Sequence, residues 1–305
     1  MPAYSKTGVL LMAFGGPKTL ADVEPFLEKL MGRAPSPELL HRVQLRYEAI
    51  GGGSPLPDIT EQQASELERD LDWNLFEAFV GYQHSHPYIS ETVEFMAGHG
   101  IEQGVAISMS PFSSRVTSDA YVESVRRATA KIDEAPEFLF ILDWHKEPMF
   151  HEAIADKVKA ALAGFPPGAR VPLVFTAHSL PKRYIDEGDA YADEFHDTVE
   201  GVLSFLGEPD WRMAYQSKGH GQDEWLGPDA GEVFEELARE GAGNVLVVPV
   251  GFVADHVETL YDIDIVMRGQ AENLGLRFER SESLNITPKF IAALTRAVRE
   301  RLGVV

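Results

Sequence analysis

The chain has 305 residues, a formal net charge of −21 and no cysteine. That charge speaks against nucleic acid and anionic membrane surfaces as partners and favours cationic ligands, while the missing thiols exclude disulfides, thiolate metal sites and cysteine-ligated iron–sulfur clusters. With 44% hydrophobic residues the composition is that of a soluble globular protein, and a length beyond about 250–300 residues favours two domains. No apolar run reaches about 18 residues, so no transmembrane helix is expected. The opening Met1-Pro-Ala-Tyr-Ser-Lys6 has no signal-peptide pattern, and the expected location is cytoplasmic.

Strand and helix patterns alternate almost to the end. Thr7–Phe14 reads as an apolar strand closed by Gly15-Gly16-Pro17, and Ala21–Met31 as a helix. Ser36-Pro37-Glu38 supplies an N-cap, an N1 proline and a first-turn acid for a helix running to Tyr47. Gly51–Pro57 must be a loop, and Thr60-Glu-Gln-Gln63 has the capping-box pattern that predicts a helix start. Strands are expected at Phe76–Gly81, Gly104–Ser108 and Glu137–Leu142, with helices at Tyr88–Ala97 and Ser118–Ile132 between them.

The alternation resumes after Asp143–Pro148. Expected helices are Met149–Gly164, Asp189–Leu206, Asp229–Glu240 and Pro288–Leu302; expected strands are Val171–Ala177, Arg212–Gln216, Asn244–Val248 and Leu276–Glu279. Repeated β-α units with short connections predict an α/β fold with parallel sheets, doubly wound by right-handed crossovers. The two halves have similar length. The expected division is residues 1–145, residues 146–285, and a C-terminal helix in residues 286–305 able to pack back on the first domain.

The chemistry concentrates in Pro249-Val-Gly-Phe-Val-Ala-Asp-His-Val-Glu-Thr-Leu-Tyr-Asp-Ile-Asp264. Asp255 reads as the N-cap of a helix, and Asp255, Glu258 and Asp262 then fall at i, i+3 and i+7 on one face. A solvated helix start is the bland alternative. The apolar flanks Val247, Val248, Phe252 and Val253 instead suggest a lined cleft, where open α/β sheets bind ligands. His178, in Thr176-Ala-His-Ser-Leu-Pro181, sits at the carboxyl end of another strand. An imidazole facing a carboxylate suits either a divalent transition metal or acid–base work. Gly15-Gly16-Pro17 lacks a phosphate-loop pattern, and its glycines are expected to let a flat ligand approach the backbone. His84, His86 and His220 read more simply as surface residues.

Arg46–Pro55, Thr176–Pro181, Gln216–Lys218, Trp225–Pro228 and Pro249–Asp262, in this order, resemble the ferrochelatase family over nearly the whole chain. The resemblance implies two Rossmann-like, chelatase-type domains, each a parallel sheet flanked by helices, that grip a porphyrin and insert Fe2+ into it in haem biosynthesis. A short, polar Gly32–Tyr47 segment and an end at Val305 without a cluster resemble the monomeric coproporphyrin III enzymes. By that resemblance His178 and Glu258 bind Fe2+ and handle the pyrrole protons, and Asp262 continues an acidic path. Phe14, Arg33, Arg46, Tyr47, Ser54 and Tyr121 would contact the porphyrin. Departures are Phe14, where such enzymes often have tyrosine, the segment near Met31, where Arg33 or Lys29 would stand in for an arginine, and Gln83 in place of a lysine. The implied inventory is Fe2+ and porphyrin as substrates, no organic cofactor, no iron–sulfur cluster, no nucleic acid and no stable membrane insertion. A monomer is expected, with transient contact to a haem-pathway enzyme left open. The rival readings are a chelatase for protoporphyrin IX or another tetrapyrrole, and a non-catalytic haem or porphyrin carrier.

Overall fold

A computed structural model describes residues 6–219 and 223–304. Its first sheet comprises β1 (Thr7–Ala13), β2 (Phe76–Tyr82), β3 (Gln103–Ser108) and β4 (Glu137–Ile141), all parallel in the order β2-β1-β3-β4. A second parallel sheet comprises β5 (Leu173–His178), β6 (Trp211–Gln216), β7 (Asn244–Val248) and β8 (Arg277–Arg280) in the order β6-β5-β7-β8. The chain divides into two compact units, one of Met1–Trp144 with Asn285–Val305 and one of His145–Leu284. His220 lies outside the described residues.

The central strands are continuous apolar runs because helices cover both sheet faces. Val9, Leu10, Leu11 and Met12 of β1 are fully buried, as are Leu173, Val174 and Phe175 of β5. In the second unit Phe234 packs edge-on against Phe278 at 6.1 Å, and each ring contributes roughly 1.5–3 kcal/mol by burial. Strand order reverses between β1 and β3 and again between β5 and β7. The carboxyl ends of each such pair therefore border a crevice, the position from which this architecture presents functional loops.

The last helix, Pro288–Leu302, belongs to the first unit and packs on helix Leu56–Leu71. Phe290 and Leu294 are fully buried there, Trp144 meets Phe290 at 5.9 Å, and Arg299 donates to the Asp70 carbonyl at 3.2 Å.

Two helix boundaries differ from the sequence reading. Helix Leu56–Leu71 starts before the Thr60–Gln63 pattern, with Pro55 at its N-cap and Pro57 in the first turn, where a missing N–H costs nothing. Thr60 lies inside it and donates to the Leu56 carbonyl at 2.8 Å, while Gln63 reaches the Asn285 carbonyl at 2.8 Å, so no capping box forms. The expected helix over Asp189–Leu206 is Tyr191–Leu203, and a short helix that the sequence reading did not include, Lys182–Asp186, precedes it. No helix among the described residues is long and apolar enough to cross a membrane.

Candidate active site

β5 delivers His178 to the carboxyl edge of its sheet, and three contacts hold the residue. The ring Nδ1–H donates to the Ser179 carbonyl at 2.5 Å, Tyr191 donates its hydroxyl to the His178 carbonyl at 3.0 Å, and the Ser179 amide donates to the Gln216 carbonyl at 2.7 Å. With Nδ1 committed as donor, Nε2 is the face the imidazole presents, and it lies 3.3 Å from Oε1 of Glu258.

Glu258 opens the helix Glu258–Met267 that follows β7, and this helix is a π-helix rather than an α-helix. Its wider i→i+5 turn leaves Glu258 and Asp262 nearly one turn apart on a shared face. The second Glu258 oxygen, Oε2, lies 3.5 Å from Nε2 of His256. His256 donates from Nδ1 to the Ala254 carbonyl at 3.1 Å and packs on Phe252 at 4.7 Å, so this ring too presents Nε2. Asp262 accepts a 2.6 Å hydrogen bond from Ser217, which follows β6 in a left-handed conformation (φ 57°).

The expected stripe of three acids is not formed. Asp255 precedes the helix, whose N-cap is Val257, and its Oδ1 accepts from Ser283 at 2.7 Å and from Arg280 at 3.2 Å. Arg280 also grips Asp264 through two bonds of 2.7 and 2.9 Å. Asp255 and Asp264 therefore anchor the two ends of the first π-turns, leaving Glu258 and Asp262 as the acids that belong to the site. The spacing argument failed because it assumed α-helical geometry starting at Asp255.

Charge follows from this packing. Desolvation works against a charged His178 ring, but the facing Glu258 carboxylate outweighs it and holds the imidazole up at about 9. Burial likewise opposes ionisation of Glu258, yet His178 and then His256 hold its carboxyl far below the usual range. Burial pushes the Tyr191 phenol far up, so it remains a donor to the His178 carbonyl. Two imidazole Nε2 atoms around one carboxylate form a nitrogen–oxygen donor set of the kind first-row divalent ions prefer.

The first unit holds the remaining expected residues. Phe14, just past β1, packs against Phe26 at 6.3 Å and His84 at 4.5 Å. Desolvation, reinforced by the nearby Lys29 ammonium, lowers His84 to about 4. Gly15 (φ 88°) and Gly16, expected to let a flat ligand approach the backbone, lie close against side chains of the protein itself. A Cβ at Gly15 would strike the Ser85 hydroxyl, and one at Gly16 would lie 2.9 Å from the Ser54 Cβ, so both glycines make room for the protein's own side chains. Ser54 is buried and its hydroxyl caps the Leu56 amide at 3.3 Å. Tyr47 is buried, Arg46 half-buried and Arg33 exposed, all on or beside helices Val23–Met31 and Pro37–Ala49. Tyr121 lies within the core among Leu10, Met12 and Val125, so its expected porphyrin contact is not made from an open surface. His86 is exposed and pairs through Nδ1 with Glu91 at 2.9 Å.

The ferrochelatase family model matches residues 6–302. The chain belongs to the ferrochelatase family. Ferrochelatase of Herpetosiphon aurantiacus is 38% identical over 300 residues, covering 96% of this chain and 98% of that one. Coproporphyrin III ferrochelatase of Bacillus subtilis is 36% identical over 306 residues, covering 98% of each. Among solved structures, SirB from Bacillus subtilis with Fe3+ superposes with a TM-score of 0.64 at 11% identity, covering 97% of this chain and 95% of that one. At that identity the likeness concerns the fold, two Rossmann-like parallel-sheet domains of the chelatase type.

Sequence reasoning did not single out three members of this candidate site. His256 and Ser217 lie within the motifs Pro249–Asp262 and Gln216–Lys218 and Tyr191 lies ten residues beyond Pro181, but only folding shows that His256 faces Glu258, that Ser217 faces Asp262 and that Tyr191 braces His178.

Proposed function

We propose that this protein inserts Fe2+ into coproporphyrin III and releases two protons. The observation that carries the reading is the Glu258 carboxylate set between Nε2 of His178 and Nε2 of His256. Fe2+ enters as substrate, and a cation arriving between His178 and Glu258 takes the place of the proton they share. The donor set is small and mixed, so the ion is held without being trapped and can pass to four pyrrole nitrogens. As the metal enters the ring, the two pyrrole protons leave through basic groups. Glu258 is the first of these and the Asp262–Ser217 pair lies next along the π-helix face. The charge-neutral exchange of one divalent ion for two protons needs no organic cofactor and no iron–sulfur cluster.

Coproporphyrin III rather than protoporphyrin IX is supported by the match to several relatives named coproporphyrin III ferrochelatase at 34–36% identity. It is also supported by the basic side chains Lys29, Arg33 and Arg46 on a short polar segment. At a net charge of −21 a tetra-anionic porphyrin is repelled at long range, so local cations must offset that field. The test is anaerobic incubation of the purified protein with Fe2+ and each porphyrin. Faster turnover of coproporphyrin III supports the reading, and preferred turnover of protoporphyrin IX refutes the substrate.

A further inference from the structure

Gln216 ends β6 at the carboxyl edge of the second sheet, where it is the register partner of His178 on β5. Paired residues of a parallel ladder point to one sheet face, and residues two apart on a strand share a face. Val174 and Ala214 lie four and two residues before this pair and pack with Ile263 and Met267. The side chains of His178 and Gln216 therefore stand side by side on the face that the π-helix covers.

Gln216 is fully buried. Its side-chain Nε2 donates to the Glu258 carbonyl at 3.3 Å and to the Ser217 hydroxyl at 3.4 Å. Its backbone carbonyl accepts from the amide of Ser179, the residue after His178, at 2.7 Å. Ser217 in turn donates to Asp262 at 2.6 Å. One residue thus meets the supports of His178, Glu258 and Asp262.

These partners fix the direction of the amide. The Glu258 carbonyl can only accept, so the NH2 end faces it, and the two hydrogens are committed to Glu258 and to Ser217. With its oxygen accepting from Gln216, the Ser217 hydroxyl has its own proton left for Asp262. The other end of the amide, Oε1, is buried and accepts no hydrogen bond among the described residues. An unmade buried acceptor opposes stability, and an apolar side chain of similar length would avoid it. The two donors, rather than the packing, account for an amide at this position.

We propose that Gln216 is a positioning residue of metal insertion, an inference that rests on the reaction proposed above. Its amide holds the start of the π-helix through the Glu258 carbonyl, which keeps the Glu258 carboxylate in reach of His178. The same amide turns the Ser217 hydroxyl toward Asp262, which keeps that carboxylate set to receive a pyrrole proton. Being fully buried, Gln216 meets neither metal nor porphyrin and acts through the groups that do.

The test is Gln216→Met in the full-length protein, which keeps the side-chain length and removes both donors together with the orphaned carbonyl; Gln216→Leu repeats it should methionine misfit. The urea midpoint should match or exceed that of the wild type. The kcat for iron insertion should fall about tenfold with KM for the porphyrin unchanged. In a Ser217→Ala background the loss should shrink, because one of the two partners is already gone. A crystal structure of the variant should show the Ser217 hydroxyl turned away from Asp262. A lowered urea midpoint in both variants would make Gln216 a residue of the fold and overturn the proposal. So would a wild-type kcat, an equal loss in both backgrounds, or a variant structure that retains the Ser217–Asp262 and His178–Glu258 contacts. A wild type that inserts no iron would refute the reaction instead, and the variant structure would still decide whether Gln216 positions these groups.

Discussion

Ser217 donates a 2.6 Å hydrogen bond to Asp262, nearly one π-turn beyond Glu258. The bond fixes a carboxylate beside the acid that faces His178, where the proposed proton path continues. Asp262→Asn keeps the shape and removes the base. Its kcat for metal insertion should fall about tenfold or more, with porphyrin affinity unchanged, and Ser217→Ala should have a smaller effect in the same direction. Steady-state kinetics on both variants checks this; a wild-type kcat in Asp262→Asn would remove Asp262 from the proton path.

Arg280 ties Asp255 and Asp264 to the start of β8's outgoing loop, and its side chain is only 10% exposed. Arg280→Met leaves two carboxylates without their cation and should lower stability by about 3 kcal/mol or more. Urea unfolding of the full chain reads this directly. A loss under about 1 kcal/mol, the range of an exposed ion pair, would show that the clamp does not hold the π-helix.

The acid side of the stability profile should reflect His84. Its folded pKa of about 4 is depressed, chiefly by desolvation. Above about pH 6.5 both folded and unfolded chains carry it neutral, and as pH falls toward 4 only the unfolded chain takes up the proton. Stability is therefore complete above about pH 6.5 and is lost on acidification, on the order of 2 kcal/mol after discounting for the partly exposed ring. His84→Gln should flatten the decline between pH 6.5 and 4 in urea melts. Parallel declines in the two proteins would assign that loss to other groups.

Arg46 tests the substrate. Arg46→Ala should raise KM for coproporphyrin III about tenfold, near 1.4 kcal/mol, and raise KM for protoporphyrin IX much less. Equal effects on both porphyrins would disconnect Arg46 from recognition of the tetra-anionic substrate.

The strands were legible because β1, β5 and β7 are buried on both faces and carry unbroken runs such as Val9–Met12 and Val245–Val248. Parallel order followed from the intervening helices. What the sequence concealed is local geometry set by long-range contacts. Asp255 reads as an N-cap, yet Arg280 and Ser283, which follow it by 25 and 28 positions, withdraw it from the helix. Thr60 and Gln63 match a capping box, yet the helix begins at Leu56 because Pro55 and Pro57 fit its first turn. His178 and Glu258 could be singled out from strand ends and acid placement. His256 could not, since nothing in its spacing says that its ring turns toward Glu258 rather than solvent.

Iron insertion by wild-type protein and by His178→Ala, followed anaerobically through the absorbance of Fe-coproporphyrin, tests the central claim most directly. Glu258 lies 3.3 Å from the ring that this substitution removes. The wild type should turn over Fe2+ and coproporphyrin III, and His178→Ala should lose about 10²-fold or more in kcat while still binding the porphyrin by fluorescence quenching. Insertion by His178→Ala near the wild-type rate would contradict the assignment of His178 and Glu258 as the metal-delivering pair.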